Sequence, residues 1–526
     1  MSRVNTNNTS IRYAIETSIG TPPTSGWRIA EFNTIGTYGA AISTTPRRPI
    51  SQDRGRKKGT VTDLDSTVEF ETDLTIDAFQ DFAEGLVFAE YANKGFSLLS
   101  GAVPPPVASS TTFTVSTIAA PNDTRLEFTA SEVATLIYGK GYTDAANNGL
   151  KPIAADPGTG TTITVAATLV TETPPTNATL EVAGVRFLND EDLDLVVSGA
   201  TATLESLGAL AASGTTTWGA LGIQLGQFIH IGSATSVGAL QNALGAGGTV
   251  SYGYGRVTGG LATTTLTLDK LSSTLATAAG ASGITADVMF GRMARNVPVT
   301  ANSTDNEYLE RTYQMEVVYP DLGGIGTDSY EYAIGNFVNE VSLNLPLTDK
   351  ATVNYGFVGT NAEDVTDSRK TGPSTAVTPL RTTAFNTSSD IASITTDVVS
   401  AVSDVCFKSL TVTVRNNVSP EKCLGTLGAT FVNSGLFEVD VEGQMLFTDK
   451  AITNAIKNNT TVTFLTIIRN QDGAIALDIP EMNLGDGSRE FPVDQSVLVN
   501  ISGQSFTSAT YGYDVGISLF PLVPYV

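Results

Sequence analysis

The sequence predicts a mainly β protein: two tandem β-sandwich-plus-helix units, the first interrupted by an insertion of small β modules. Three observations carry this prediction. Of 526 residues, 74 are Thr and 50 are Gly, while only 16% are charged. Thr is stiff at χ1 and favours the pleated strand over the helix interior, and frequent Gly supplies turns. Two segments place acids on every second residue, the period that puts them on one face of a strand. The order of features at the start of the chain also recurs near its end, and a repeat of this kind governs the whole fold.

In the first unit, assigned to residues 1–95 and 305–358, the basic loop Arg47-Arg-Pro-Ile-Ser51 leads to Gly59-Thr60 and then to the alternating strand Val68–Leu74. Glu69, Glu71 and Asp73 share one face, with Phe70 on the other. A helix follows. Asp77 with Gln80 has the spacing of a capping box, and Phe79, Phe82, Ala83, Leu86 and Val87 recur at helical spacing towards Asn93. Further strands are expected over Tyr313–Val318 and Glu340–Leu345.

The insertion, 96–304, opens on Pro104-Pro-Pro106 and is poor in charge. Thr135–Gly139, Thr161–Val165 and Ala178–Phe187 find counterparts in Gln227–Gly232, Thr264–Leu268 and Ile284–Phe290, which predicts two modules, 111–190 and 220–298. Residues 359–400 read as a polar linker leading into the first element of the second unit.

That second unit, 401–526, repeats the first. Arg415-Asn-Asn-Val-Ser419 leads to Gly425-Thr426, then to Phe437–Glu442 with Glu438, Asp440 and Glu442 on one face and Val439 and Val441 on the other. Thr448 is expected to cap a short helix carrying Ile452, Ala455 and Ile456 and stopped by Asn458-Asn459; strands follow over Val462–Ile468 and Ser496–Ile501.

Several classes of function are disfavoured. No stretch approaches the roughly 18 consecutive apolar residues that span a bilayer, so no membrane insertion is expected. The N-terminus lacks an apolar leader, and assembly in a cytoplasm is expected. Cys406 and Cys423 are too few for a disulfide framework and are expected to be reduced and buried. The single histidine, His230, lies in a strand-like apolar run and is read as structural. Gly253-Tyr-Gly-Tyr-Gly lacks the Lys of a phosphate-binding loop and is read as a flexible β loop. Asn189-Asp-Glu-Asp-Leu-Asp194 offers oxygen ligands but lacks the turn Gly and distal Glu of a calcium loop; a solvated acidic turn is favoured. The paired carboxylates fit a wet strand face better than a glycosidase pair. No catalysis, metal or cofactor is expected.

The net charge is −23, yet residues 1–60 carry nine basic side chains against three acidic ones. The acidic remainder repels phosphates. The basic cluster Arg47, Arg48, Arg54, Arg56, Lys57 and Lys58 is open to three readings: a nucleic-acid arm, a solvated loop, or a segment docking on an acidic neighbouring subunit, the last being favoured.

The run Pro49-Ile-Ser-Gln-Asp-Arg-Gly-Arg-Lys-Lys-Gly-Thr-Val-Thr-Asp-Leu-Asp65 with Glu69–Leu74, the stretch Arg415–Gly428 through Phe447-Thr-Asp449, and the ending Gly516–Pro524 resemble the major tail tube proteins of long, flexible-tailed (siphovirus-type) bacteriophages. The likeness covers about 1–95 and 305–526. It implies sandwich domains arranged six to a ring, rings stacked into a virion tail, and a bore through which viral DNA passes without specific binding. It also implies tape measure, tail terminator and tail-tip proteins as partners. By position, the basic loop matches the family's inter-ring loop. Glu69, Glu71, Asp73, Glu438, Asp440 and Glu442 become lumen candidates, with the outer surface as the alternative. Two units per chain would make the ring a trimer with pseudo-sixfold symmetry, favoured over a hexamer of single enlarged domains. A capsid or decoration protein and a secreted adhesin are the alternatives.

Overall fold

The computed structural model describes residues 4–24, 26–48, 50, 52, 55–92, 106–115, 133–155, 161–187, 193–207, 217–232, 251–278, 286–299, 308–370, 376–396, 406–448 and 450–522. Within these residues the chain is mainly β, with two large antiparallel sheets, one of 16 and one of 12 strands, and small helices.

Twelve strands of the larger sheet define its plan. In chain order they are β1 (Ser10–Ile15), β2 (Thr34–Arg47), β3 (Lys57–Asp73), β4 (Tyr313–Gly324), β5 (Thr327–Pro346), β6 (Thr352–Gly359), β7 (Ile391–Thr396), β8 (Phe407–Arg415), β9 (Glu438–Leu446), β10 (Thr461–Asn470), β11 (Gly473–Glu490) and β12 (Leu498–Ser505). The first six pair in the order β2-β3-β6-β5-β4-β1. The second six pair as β8-β9-β12-β11-β10-β7, so each strand has its counterpart six strands later. Among the described residues a single seam joins the two sets: β5 pairs with β8 from Glu340↔Arg415 to Pro346↔Ser409.

Alternation builds the core. Along β3, Leu64, Val68 and Phe70 are buried while Asp65, Thr67 and Glu69 are exposed. The buried faces of both strand sets share one cluster, in which Val68, Val341 and Val353 meet Val412, Val441 and Ile475. Helix α1 (Ile76–Val87) lies on this face with Phe79, Phe82 and Leu86 buried. The Phe82 ring stands 4.7 Å from that of Tyr13 and 4.9 Å from that of Tyr355. Gly85 sits where a Cβ would come within 2.7 Å of the Tyr313 ring, which allows the helix to lie close to the sheet.

The helix ends differ from the capping expectation. Thr75, not Asp77, is the N-cap: its backbone is extended and its hydroxyl accepts from the Ala78 amide. Asp77 is occupied by Arg381. The helix closes at Phe88, which takes a left-handed conformation (φ 48°) short of Asn93. The N-cap position of helix α2 (Ala451–Lys457) is Lys450, whose side chain makes no capping bond, and not Thr448; Asn458 ends it as expected.

The second sheet draws its strands from Val107–Met289 and packs around Phe187, Trp218, Leu204 and Val288. Strands of both sequence-predicted modules lie in it side by side, Ala286–Met289 pairing with Thr179–Phe187. His230 is buried in its strand Phe228–Ile231, as expected. The Gly253 run is a correction: it opens a strand, Gly253–Gly259, paired on both sides, and its glycines admit close neighbours such as Leu268 and Leu271 beside Gly255. The cysteines are a second correction. Cys406, just before β8, and Cys423, in the excursion between β8 and β9, are both exposed and free, since neither belongs to the inward-facing set of a strand. Of the acidic run 189–194, only Leu193 and Asp194 fall among the described residues.

Candidate functional site

The six acids predicted on two strand faces come together on one surface. The pairing register carries them there across four intervening joins. Glu69 on β3 stands opposite Gly356 on β6, Gly356 opposite Glu340 on β5, Glu340 opposite Arg415 on β8, and Arg415 opposite Glu438 on β9. A second row runs Glu71, Asn354, Ser342, Thr413, Asp440, and a third Asp73, Thr352, Asn344, Thr411, Glu442. Facing side chains of an antiparallel sheet share a side, so the reverse of the apolar core is a continuous polar wall.

This wall is held by short polar contacts. Ser342 and Thr413 hydroxyls lie 3.1 Å apart. The Thr411 hydroxyl donates to Asn344 at 3.2 Å, and the Arg415 guanidinium donates to Glu340 at 2.9 Å and to Asp440. Burial acts to lower the Arg415 pKa, but Glu340 and Asp440 outweigh it and raise it. Lys350 pairs with Asp73 at 2.7 Å. Seven carboxylates against these two cations leave the wall acidic. Glu340 and Arg415 were not among the predicted site residues. Their signal was present in the alternation Glu340-Ser342-Asn344 and Thr411-Thr413-Arg415, but neutral polar residues give no charge run to draw attention.

The basic cluster occupies the tip of a hairpin. β6 covers β3 only from Ser66 onward, so among the described residues Lys57–Asp65 pairs with β2 alone and forms a two-stranded ribbon. Arg47, Arg48, Arg56, Lys57 and Lys58 are exposed at its end; Arg54 lies outside the described residues. The ribbon also exposes Ile42 and Val61. Lys422, from the excursion between β8 and β9, grips the stem by binding Asp63 and Asp65, each at 2.6 Å.

A third constellation fastens the two sheets together. Arg381, fully buried, donates to Asp77 on α1 at 2.8 Å and to Glu181 of the second sheet at 2.8 Å, and Arg292 reaches the same Glu181 at 2.7 Å. Burial by itself would raise the Asp77 carboxyl, but Arg381 and Arg28 hold it down at about 2. Burial pushes the neighbouring Asp81 up to about 6 against the pull of Arg28, with Asp77 adding to the rise. Arg256 of the second sheet binds Asp478 on β11 at 3.0 Å, and Phe228 and Met289 pack with Leu465 and Ala476. Arg381, one of two arginines in the polar stretch 359–400, gave no sequence signal for this role.

Among the described residues no group of His, Cys, Asp and Glu is arranged to hold a metal ion, and no helix is long and apolar enough to cross a membrane. Chemically the surfaces offer repulsion of phosphates along a wall and attraction of acids at a hairpin tip. The profile of the family described as "Phage tail tube protein" matches residues 153–505. No curated protein matches the chain.

Proposed function

The chain belongs to the phage tail tube proteins, structural components of the virion tail, and from this premise we propose that three copies form a ring of six tube units whose polar walls line a DNA channel. Each chain supplies one unit from 1–95 and 305–358 and another from 401–526 joined by β7, with the rest of 359–400 connecting them and the second sheet of the 96–304 insertion standing outside the tube, while Arg292–Arg295 of that insertion pairs with the large sheet. The observation that carries this reading is the recurrence of one six-strand pairing order twice in the chain, joined by the β5–β8 seam. A duplicated unit that already pairs with its own copy needs three chains, not six, to close a pseudo-sixfold ring, and closure leaves no sheet edge exposed.

The acids Glu69, Glu71, Asp73, Glu438, Asp440 and Glu442 then face the bore. A wall that repels phosphates lets DNA slide without holding it. The basic hairpin tip, projecting beyond the sheet, docks on an acidic surface of the adjacent ring. The tube end-partners are the tape measure, tail terminator and tail-tip proteins.

Electron microscopy of the purified, assembled protein tests the reading through averages viewed down the particle axis. Hollow rings with three large outer lobes are expected. Six equal lobes would overturn the trimer, and solid or open particles would overturn the channel.

A further inference from the structure

We propose that β11 of one chain and β2 of a second copy pair edge to edge, reproducing between chains the seam that β5 and β8 form within one. The inference rests on the ring reading above and names the surface by which its copies join.

The argument starts from strand neighbours. In its second half β5 has two lateral partners, β6 on one side and β8 on the other. Its counterpart six strands later is β11. Over Leu484–Glu490, β11 pairs with β12 and, among the described residues, with no other strand. The counterpart of β8 is β2, and among the described residues it pairs with β3 alone. The chain therefore has one satisfied seam and the two halves of a second, at opposite ends of the same order of strands.

The free edge of β2 is built as a joint. Exposed edges are ordinarily protected by charges, prolines or shortness. β2 is 14 residues long, and from Thr34 to Thr45 it holds neither a charged residue nor a proline. Most of that length is exposed, Ile42 included at 55%. Such an edge in isolation invites pairing, so a defined partner strand is the arrangement consistent with a protein that assembles in an orderly way.

The repeat also sets the register. Val68-Glu69 and Val441-Glu442 each precede a Thr, Thr75 and Thr448, at the same distance along the chain. Glu69 stands opposite Thr37 and Gly356, and Gly356 opposite Glu340. Glu442 stands opposite Thr411 and Ser502, and Ser502 opposite Gly485. Thr37 thus corresponds to Thr411 and Gly485 to Glu340. Within the chain Glu340 faces Arg415, four residues beyond Thr411; between chains Gly485 should face Ala41, four beyond Thr37. Across the bulge that β11 makes between Asp486 and Arg489, the same antiparallel step brings Glu490, the counterpart of Asn344, to Thr37.

Cysteine cross-linking of the assembled full chain tests this. In a Cys406→Ser, Cys423→Ser background, one preparation carries Ala41→Cys and another Gly485→Cys; the two are mixed before assembly and treated with a short thiol-to-thiol cross-linker. A covalent dimer is expected in the mixture and in neither preparation alone. A chain carrying both substitutions should give dimers and trimers and nothing larger. Thr37→Cys with Glu490→Cys is a second pair, since a side chain at Gly485 would crowd Ser502. Rings seen by microscopy that yield only monomer with both pairs would overturn the seam and leave the ring reading standing. A background protein that forms no rings would overturn the ring reading, and the seam with it.

Discussion

Arg415 faces Glu340 across the join of β8 and β5, its guanidinium 2.9 Å from the carboxylate and also bonded to Asp440 on β9. One side chain thus ties three strands drawn from both halves of the large sheet, on a surface that is partly open to water. Arg415→Ala should cost about 1 kcal/mol, because an ion pair at this exposure is screened. Equilibrium denaturation would check it; a loss beyond about 3 kcal/mol would mean that the seam depends on this contact more than on its backbone ladder.

Arg381 lies at the other extreme. Removing it leaves Asp77 and Glu181 buried without this shared cation, and breaking a buried pair in this way costs about 3–5 kcal/mol. Arg381→Met should lower the melting temperature and expose the contact between the second sheet and α1 to protease. An unchanged melting curve would contradict the assignment of Arg381 as a fastening residue.

Acid should act on this cluster in two opposed steps. Asp77 is depressed to about 2 from 3.8, so its contribution is present above about pH 4 and fades as pH falls towards 2. Asp81 is raised to about 6; the folded chain holds a proton that the unfolded chain has lost, so stability falls as pH rises from about 4 to 6. Asp81→Asn should flatten the upper slope, worth about 3 kcal/mol, and leave the loss below pH 4 intact. Thermal melts across pH 3 to 7 would show this, and an unchanged upper slope would refute it.

Reversing the wall charge separates stability from transport. Glu69→Lys, Glu438→Lys and Glu442→Lys sit at exposed positions, and each should move stability by no more than about 0.5 kcal/mol. Tubes of the triple variant should hold duplex DNA in a form protected from nuclease and release it steeply with added salt. DNA that is bound but fully digestible would place these residues on the outer surface.

Reversing the hairpin tip tests its docking role. Arg56→Glu, Lys57→Glu and Lys58→Glu should leave the fold intact, since the tip is exposed. The variant should form shorter tubes that fall apart at lower salt. Tubes of normal length and salt tolerance would show that the tip does not join rings.

The sequence made legible what depends on local period. The acids on β3 and β9, the apolar stripe of α1 and the strands expected over Tyr313–Val318, Glu340–Leu345 and Val462–Ile468 follow from spacing along the chain. The distant pairings did not show. Nothing in Glu340-Val-Ser-Leu-Asn-Leu345 says that its partner lies near residue 412, because either edge of a strand presents the same amides and carbonyls. Capping failed for a related reason: Asp77 has the right spacing from Gln80, but its carboxylate is drawn away by an arginine some three hundred residues along. Exposure of Cys406 and Cys423 was hidden because burial of a small residue is decided by neighbours that sequence alone does not supply.

The β5–β8 seam has a consequence for concentration. A contact made within one chain loses no translational freedom and meets its partner at an effective concentration in the millimolar range or higher, whatever the number of molecules in the cell. If the ring has six such contacts, half of them form as each chain folds. Closure then depends on the third power of protein concentration instead of the sixth, so assembly can begin early in synthesis, when copies are still few.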